Sequence, residues 1–307
     1  MFFLLFLFFI LSLFIVDFLQ VIPTSANLEQ HLYSTAPIFK GQNIVPDGTG
    51  FFMSVSQTTA CTGEVYSTIF VTALHLFVED YSKDDLTRWQ LDTHKKFSIL
   101  LHKKKEELIA PHTDNDTRRL LVMRDNVRIP LELSQALEFP QPNELRQQCD
   151  VIAFPFFDSF AETVYFSPIP TSWPACCPAT PLENIPAFTR VVVFGYPDGL
   201  WDDFNNLPIP RQGCLSLPTD IDFRGELMGI INVGCYGGDS GAPVFAIVPS
   251  SMHGDDSFVF LGLHADGPEP FAKTKQLVNA VGFFTKRAAL QILATRHGVE
   301  WSSPLNR

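Results

Sequence analysis

Gly237-Gly238-Asp239-Ser240-Gly241-Ala242-Pro243 is the stretch on which the reading of this chain turns. It sets one serine between glycines, with an acid before it and a proline three residues on. A serine hydroxyl is a poor nucleophile until a base takes its proton, and the oxyanion it then creates must meet donors already in place. Glycine at 238 lets the backbone turn so that its own N–H and that of Ser240 converge on one spot. Glycine at 241 leaves room for a substrate. These are the residue types of a nucleophilic Ser240 whose oxyanion hole is built from Gly238 and Ser240. A Gly-Asp-Ser-Gly alone is more often an ordinary polar turn, so the reading depends on the rest of the chain.

Two further segments supply what the serine lacks. In Phe70-Val71-Thr72-Ala73-Leu74-His75-Leu76 an apolar run ends at a histidine, and none of the other seven histidines has that context. In Cys149-Asp150-Val151-Ile152-Ala153-Phe154 a carboxylate opens an apolar strand. A general base and an acid that orients it complete a catalytic triad, and the order His75, Asp150, Ser240 is one of the known triad orders. Together the three segments resemble the trypsin-like, chymotrypsin-fold serine peptidase superfamily, closest in look to its bacterial-type, HtrA-like or glutamyl-endopeptidase-like domains. His75 keeps the Thr-Ala-x-His pattern, with Leu74 and Leu76 where an Ala and a Cys are usual.

The resemblance extends over roughly residues 46 to 296. Gly48-Thr49-Gly50-Phe51-Phe52 resembles the Gly-x-Gly-Phe opening strand of such domains. Val193-Phe194-Gly195-Tyr196-Pro197 resembles the segment that opens the second barrel, and Phe258 to His264 a strand lining the substrate cleft. The resemblance implies an all-β fold of two six-stranded antiparallel β-barrels packed against each other, with a C-terminal α-helix. Secreted members of that superfamily mature through an Ile-Val-Gly-Gly amino terminus that pairs with the acid before the nucleophile. No such tetrapeptide precedes His75. The resemblance therefore leaves Asp239 without an evident partner and implies an enzyme competent once folded. The pocket positions Gly234 and Cys235 carry no carboxylate, which argues against cleavage after Lys or Arg. His264, in Gly262-Leu263-His264, resembles the pocket histidine of glutamyl endopeptidases and 3C-like peptidases, which implies Glu or Gln before the cleaved bond. A strand histidine pointing elsewhere is the equal alternative.

Composition sets the outer bounds. Among 307 residues, 23 Pro, 18 Gly and many short apolar runs suit an irregular all-β chain. Residues 2 to 16 are apolar except Ser12 and precede Thr24-Ser25-Ala26, so 1–26 reads as a signal peptide. An uncleaved membrane tether through residues 2–22 is the alternative. Cleavage removes one acid, Asp17, and moves the net charge from −11 to −10, which argues against nucleic acid as a partner. The divisions that follow are an N-terminal extension (27–45), a first barrel (46–165, with an insert at about 80–130), a linker (166–185), a second barrel (186–283) and a C-terminal helix and tail (284–307). The strongest helical pattern runs from Thr285 to Arg296. Six cysteines, at 61, 149, 176, 177, 214 and 235, suit disulfides in a secreted protein, with fifteen pairings open. Asn115 sits in a glycosylation sequon. The expectation is a secreted, monomeric serine endopeptidase acting on peptide or protein substrates without a cofactor. A catalytically inactive binding protein on the same fold and an esterase using the same triad are the alternatives.

Overall fold

The computed structural model describes residues 31–59, 65–79, 90–103, 126–137, 150–169, 184–234, 236–249, 256–265 and 281–299. Among the described residues, thirteen strands form two antiparallel sheets. The first holds β1 (Thr35–Lys40), β2 (Gly48–Thr59), β3 (Val65–Thr72), β4 (Phe97–Lys103), β5 (Asn126–Leu131) and β6 (Ile152–Phe157), with the two-residue β7 (Val164–Tyr165) paired to β4. The second holds β8 (Arg190–Gly195), β9 (Ile209–Cys214), β10 (Met228–Ile231), β11 (Pro243–Pro249), β12 (Asp256–Ala265) and β13 (Gly282–Lys286). The sheet orders are β5-β4-β1-β2-β3-β6 and β10-β13-β12-β11-β8-β9. Bridges from Leu137 to Ala153 and from Leu215 to Ile231 draw the edges of each sheet together, so each curls into a half-barrel. Read around those rings, both sheets run first, second, third, sixth, fifth, fourth. One topology is used twice.

Side chains alternate across a strand, so a strand apolar at every position must be covered on both sides. On β11, Val244, Ala246 and Val248 fill the second half-barrel, while Phe245 and Ile247 join the larger core that runs into the first. On β8, Val191 and Val193 point inward and Val192 and Phe194 outward in the same way; on β12, Val259 and Leu261 oppose Phe258 and Phe260. The face formed by β8, β11 and β12 is thus the wall shared by the two halves. Its phenylalanines interlock: Phe51 of the first sheet lies 5.3 Å from Phe260, which lies 5.7 Å from Phe245. Aromatic pairs at such spacing add to what the buried area contributes. The short helix α1 (Asp158–Ala161) follows β6, and α2 (Arg287–Arg296) buries Ala289, Leu290, Leu293 and Ala294 in the larger core.

The expected architecture holds, with differences at its edges. β1 lies in the stretch expected as an N-terminal extension, so Gly48 to Phe52 belongs to the second strand of its sheet and not the first. β4 (Phe97–Lys103) lies within the stretch expected as an insert, and β5 (Asn126–Leu131) at its end. Thr285 and Lys286, expected to begin the terminal helix, close β13 instead. Pairing with β10 and β12 takes up their backbone groups. Cys214 is a free thiol, so a pairing of all six cysteines does not occur. Cys61, Cys149, Cys176, Cys177 and Cys235, the sequon at Asn115 and the signal-peptide segment lie outside the described residues. No helix among the described residues is long and apolar enough to cross a membrane.

Candidate active site

Three chain segments converge where the half-barrels face each other. His75 sits in the single helical turn Leu74–Phe77 that follows β3, anchored by the buried Leu74, Leu76 and Phe77 on either side of it. Asp150 stands two residues before β6, whose register against β3 pairs Thr72 with Ile152. The pairing of β3 with β6 therefore brings residues 75 positions apart in sequence to one end of the sheet. Ser240 comes from the other half, in the turn that leads into β11.

The contacts among them fix the histidine completely. The His75 backbone N–H donates to Asp150 Oδ1 at 2.9 Å, and ring Nδ1 lies 2.5 Å from Oδ2. A carboxylate only accepts, so Nδ1 carries the proton. That leaves Nε2 as the acceptor for the Ser240 hydroxyl, 2.9 Å away. The His75 and Asp150 side chains are only 9% and 15% exposed, which keeps the pair in a medium where its interactions are strong.

The serine turn is pinned by the first sheet. Thr49 N–H donates to the Ser240 carbonyl at 2.9 Å, and Thr49 Oγ1–H donates to the Gly238 carbonyl at 2.6 Å. Thr72, of the Thr-Ala-x-His segment, donates in turn to the Thr49 carbonyl at 2.6 Å. Gly241 has φ +88, and a Cβ there would stand 2.1 Å from the Thr49 oxygen and 2.3 Å from Thr72 Oγ1. The glycine expected to leave room for a substrate thus makes room for the opposite half of the protein. Gly238 also has a positive φ, +85, and rests against the Tyr196 carbonyl. Among the described residues, the N–H groups of Gly238 and Ser240 have no hydrogen-bond partner. Two preorganised, unspent donors beside a serine hydroxyl are what an oxyanion formed there would require.

Asp239 has a partner that the sequence did not reveal. Arg211, on β9, places Nη2 2.6 Å from Asp239 Oδ1, an ion pair without the alignment of a hydrogen bond. Arg211 Nη1–H donates to the Gly234 carbonyl at 2.6 Å, and the guanidinium lies 5.3 Å from the Tyr236 ring. The other Asp239 oxygen accepts the Tyr236 N–H at 3.0 Å. Residues 234, 236 and 239 are thus tied to one side chain. The Asp239 carboxyl is fully buried, and burial raises its pKa from 3.8 to about 6, with Arg211 partly offsetting the rise. No motif marks Arg211: it is one arginine in the half-exposed strand Ile-Pro-Arg-Gln-Gly-Cys.

Of the pocket residues, Gly234 stands beside Arg211 as just described, and Cys235 lies outside the described residues. His264 is buried, 3% exposed, near the end of β12. Its N–H donates to the Ala242 carbonyl and its C=O accepts the Gly241 N–H, both at 2.7 Å, which ties it to the serine turn. Its Nε2 lies 3.3 Å from where a side chain on Gly282 would begin, and the Val233 carbonyl stands 3.0 Å from that same point. The ring therefore lies among Val233, Gly282 and the serine turn.

No protein-family model matches the chain, and no curated protein matches it. Solved structures do. One is the Rv3671c protease from M. tuberculosis in its active form, 14% identical, with a TM-score of 0.41 over 92% of this chain and 90% of that one. Another is the atomic-resolution structure of HBP, also 14% identical, with a TM-score of 0.44 over 87% of this chain and 91% of that one. Likeness this distant decides nothing by itself; the duplicated strand order does. The chain has a trypsin-like fold, two antiparallel six-stranded half-barrels with His75, Asp150 and Ser240 gathered where they meet.

Proposed function

We propose that this chain is a serine endopeptidase that is secreted and competent once folded, and that it prefers Glu or Gln before the cleaved bond. The observation that carries the reading is the continuous path from Asp150 through His75 to the Ser240 hydroxyl. His75 Nε2 takes the hydroxyl proton as Ser240 Oγ bonds to the scissile carbonyl carbon. The carbonyl π electrons move to oxygen, and the Gly238 and Ser240 N–H groups receive that oxyanion. Asp150 holds the ring tautomer and stabilises the imidazolium. His75 then passes the proton to the departing amine as the C–N bond breaks and the acyl-enzyme forms. Water, deprotonated by the same ring, attacks the acyl carbon and restores Ser240. Arg211 supports competence without a new amino terminus, because it supplies Asp239 with a cation from within the chain.

The test is digestion of a diverse peptide library by the purified full chain, with Ser240→Ala alongside. Ser240-dependent cleavage of peptide bonds is the expected result. Turnover of esters but not peptides would point to an esterase, and no Ser240-dependent turnover by folded protein would leave a binding protein. The pocket claim has its own readout. A buried ring that donates to a carboxylate or amide penalises substrates lacking one. Replacing His264 by Val is expected to cut the preference for Glu or Gln over Ala by about a hundredfold. An unchanged cleavage profile in His264→Val would discard the pocket assignment and keep the peptidase.

A further inference from the structure

The peptide unit that carries the Gly238 N–H lies between two glycines, Gly237 and Gly238, and so has little steric preference of its own for either orientation. Its orientation decides whether that N–H faces the Ser240 side or turns away. We infer that Asp198 sets it, acting as a positioning residue for the oxyanion hole; the inference rests on the peptidase reading above and names a residue of the same site. The Asp198 N–H donates to the Gly237 carbonyl, and its carboxylate accepts the Gly237 N–H at 3.1 Å. In a trans peptide the C=O and N–H point in opposite directions. Holding the Gly237 oxygen at Asp198 therefore turns the Gly238 N–H to the far side, where it has no partner among the described residues.

The local backbone explains the residue type. Asp198 has φ 48 and ψ 30, in the left-handed region, and sits in the single turn Pro197–Gly199 directly after β8. That conformation disfavours most side chains, but Asp and Asn tolerate it and Gly occupies it freely. The same turn presents the Tyr196 carbonyl on which Gly238 rests, so β8 delivers both the clamp and its seat. The Thr49 hydroxyl fixes the next peptide through the Gly238 carbonyl. Asp198 and Thr49 thus hold the two peptides on either side of the Gly238 Cα, and neither approaches the reacting atoms as a proton carrier.

Three substitutions separate backbone from acceptor. Asn keeps the left-handed backbone and an acceptor oxygen. Gly keeps the backbone, including the N–H on the Gly237 oxygen, but loses the carboxylate on the Gly237 N–H and so releases one of the two bonds that hold that glycine. Ala loses the carboxylate and strains the left-handed turn. Asp198→Gly is expected to lower kcat about tenfold, with KM within about twofold, because the oxyanion donor matters only as charge develops. The affinity for a peptide aldehyde, which forms a hemiacetal oxyanion on Ser240, is expected to fall about as far as kcat. Asp198→Asn is expected to retain kcat and aldehyde affinity within about twofold. Crystal structures give a readout independent of turnover: the 237–238 peptide is expected to rotate in Asp198→Gly and to stay in place in Asp198→Asn. An unrotated peptide in the Gly variant, or an Asn variant as impaired as the Gly variant, would overturn the clamp. A rotated peptide in a protein with no Ser240-dependent hydrolysis would keep the clamp and sink the peptidase reading instead.

Discussion

In the proposed peptidase, replacing Ser240 by Ala is expected to lower peptide hydrolysis by about a millionfold, and His75→Ala by a similar factor. Adding the second change to the first is expected to cost almost nothing more, because the two atoms 2.9 Å apart act as one device. Additive losses would mean that His75 and Ser240 work separately, and the proton path would have to be abandoned. Asp150→Asn belongs to the same experiment. Asp150 accepts both the backbone and the ring N–H of His75, so its carboxylate dictates which ring nitrogen is bare. An amide facing Nδ1 with its NH2 group would favour the opposite tautomer, with the Nε2 proton aimed at Ser240. A loss of about ten-thousandfold in kcat is expected. Single-turnover kinetics with a chromogenic ester would read each loss at the acylation step, apart from product release.

Much of the proposed triad was legible in the sequence because nucleophilic catalysis constrains neighbouring residues. Ser240 needs glycines on both sides, His75 needs a strand end, and Asp150 needs an adjoining strand paired with that of the histidine. Each need leaves a short local pattern. The supporting groups leave less. Thr72 and Thr49 fall inside the Thr-Ala-x-His and Gly48–Phe52 patterns, but neither pattern shows that the Thr49 hydroxyl reaches the Gly238 carbonyl across the junction of the halves or that Thr72 braces Thr49 from within the first sheet. Arg211 is selected by where β9 passes beneath the serine turn, and Asp198 by the left-handed turn after β8; both depend on tertiary placement. The same distinction holds for the fold. Strands with both faces buried, such as β8 and β11, announce themselves as unbroken apolar runs. β4 and β5 are spread through a polar stretch whose alternation is interrupted by charges, and β1 stands apart from the motif-bearing region. At the terminal helix, Thr285 and Lys286 have local preferences compatible with a helix start. Pairing with β10 and β12 outweighs them, and the Lys286 ammonium is drawn to Asp222 at 2.5 Å and to the Ile221 carbonyl at 2.7 Å.

The largest stability effect is expected at Arg211. Changing it to Met keeps most of the side-chain volume and leaves the Asp239 carboxylate buried without its cation. Breaking a buried pair from one side costs about 3 kcal/mol or more, because an uncompensated charge remains. The pH dependence identifies the cause. Asp239 has a raised native pKa, about 6 against 3.8 in an unperturbed chain. Below about pH 4 it is protonated in both the folded and the unfolded protein and contributes no difference. Between 4 and 6 the folded state holds a proton that the unfolded state has released, so this group's contribution to stability falls as pH rises and then levels off. The native carboxyl is ionised, and dependent on Arg211, only above about pH 6. Arg211→Met is therefore expected to destabilise strongly at pH 8 and weakly at pH 5, measured by denaturant unfolding at both. The nearby Asp198 carboxylate adds to the penalty on an ionised Asp239 and acts in the same sense. Adding Asp239→Asn to Arg211→Met removes the stranded charge while keeping an acceptor for the Tyr236 N–H, and should recover most of the stability at pH 8. A loss in Arg211→Met that is equal at both pH values, or one that Asp239→Asn fails to repair, would mean that Arg211 acts by packing against Tyr236 and Gly234. In the proposed peptidase the same pair holds residues 234 to 239, so kcat in Arg211→Met is expected to fall about a hundredfold at pH 8, where the ordered loop depends on an intact ion pair.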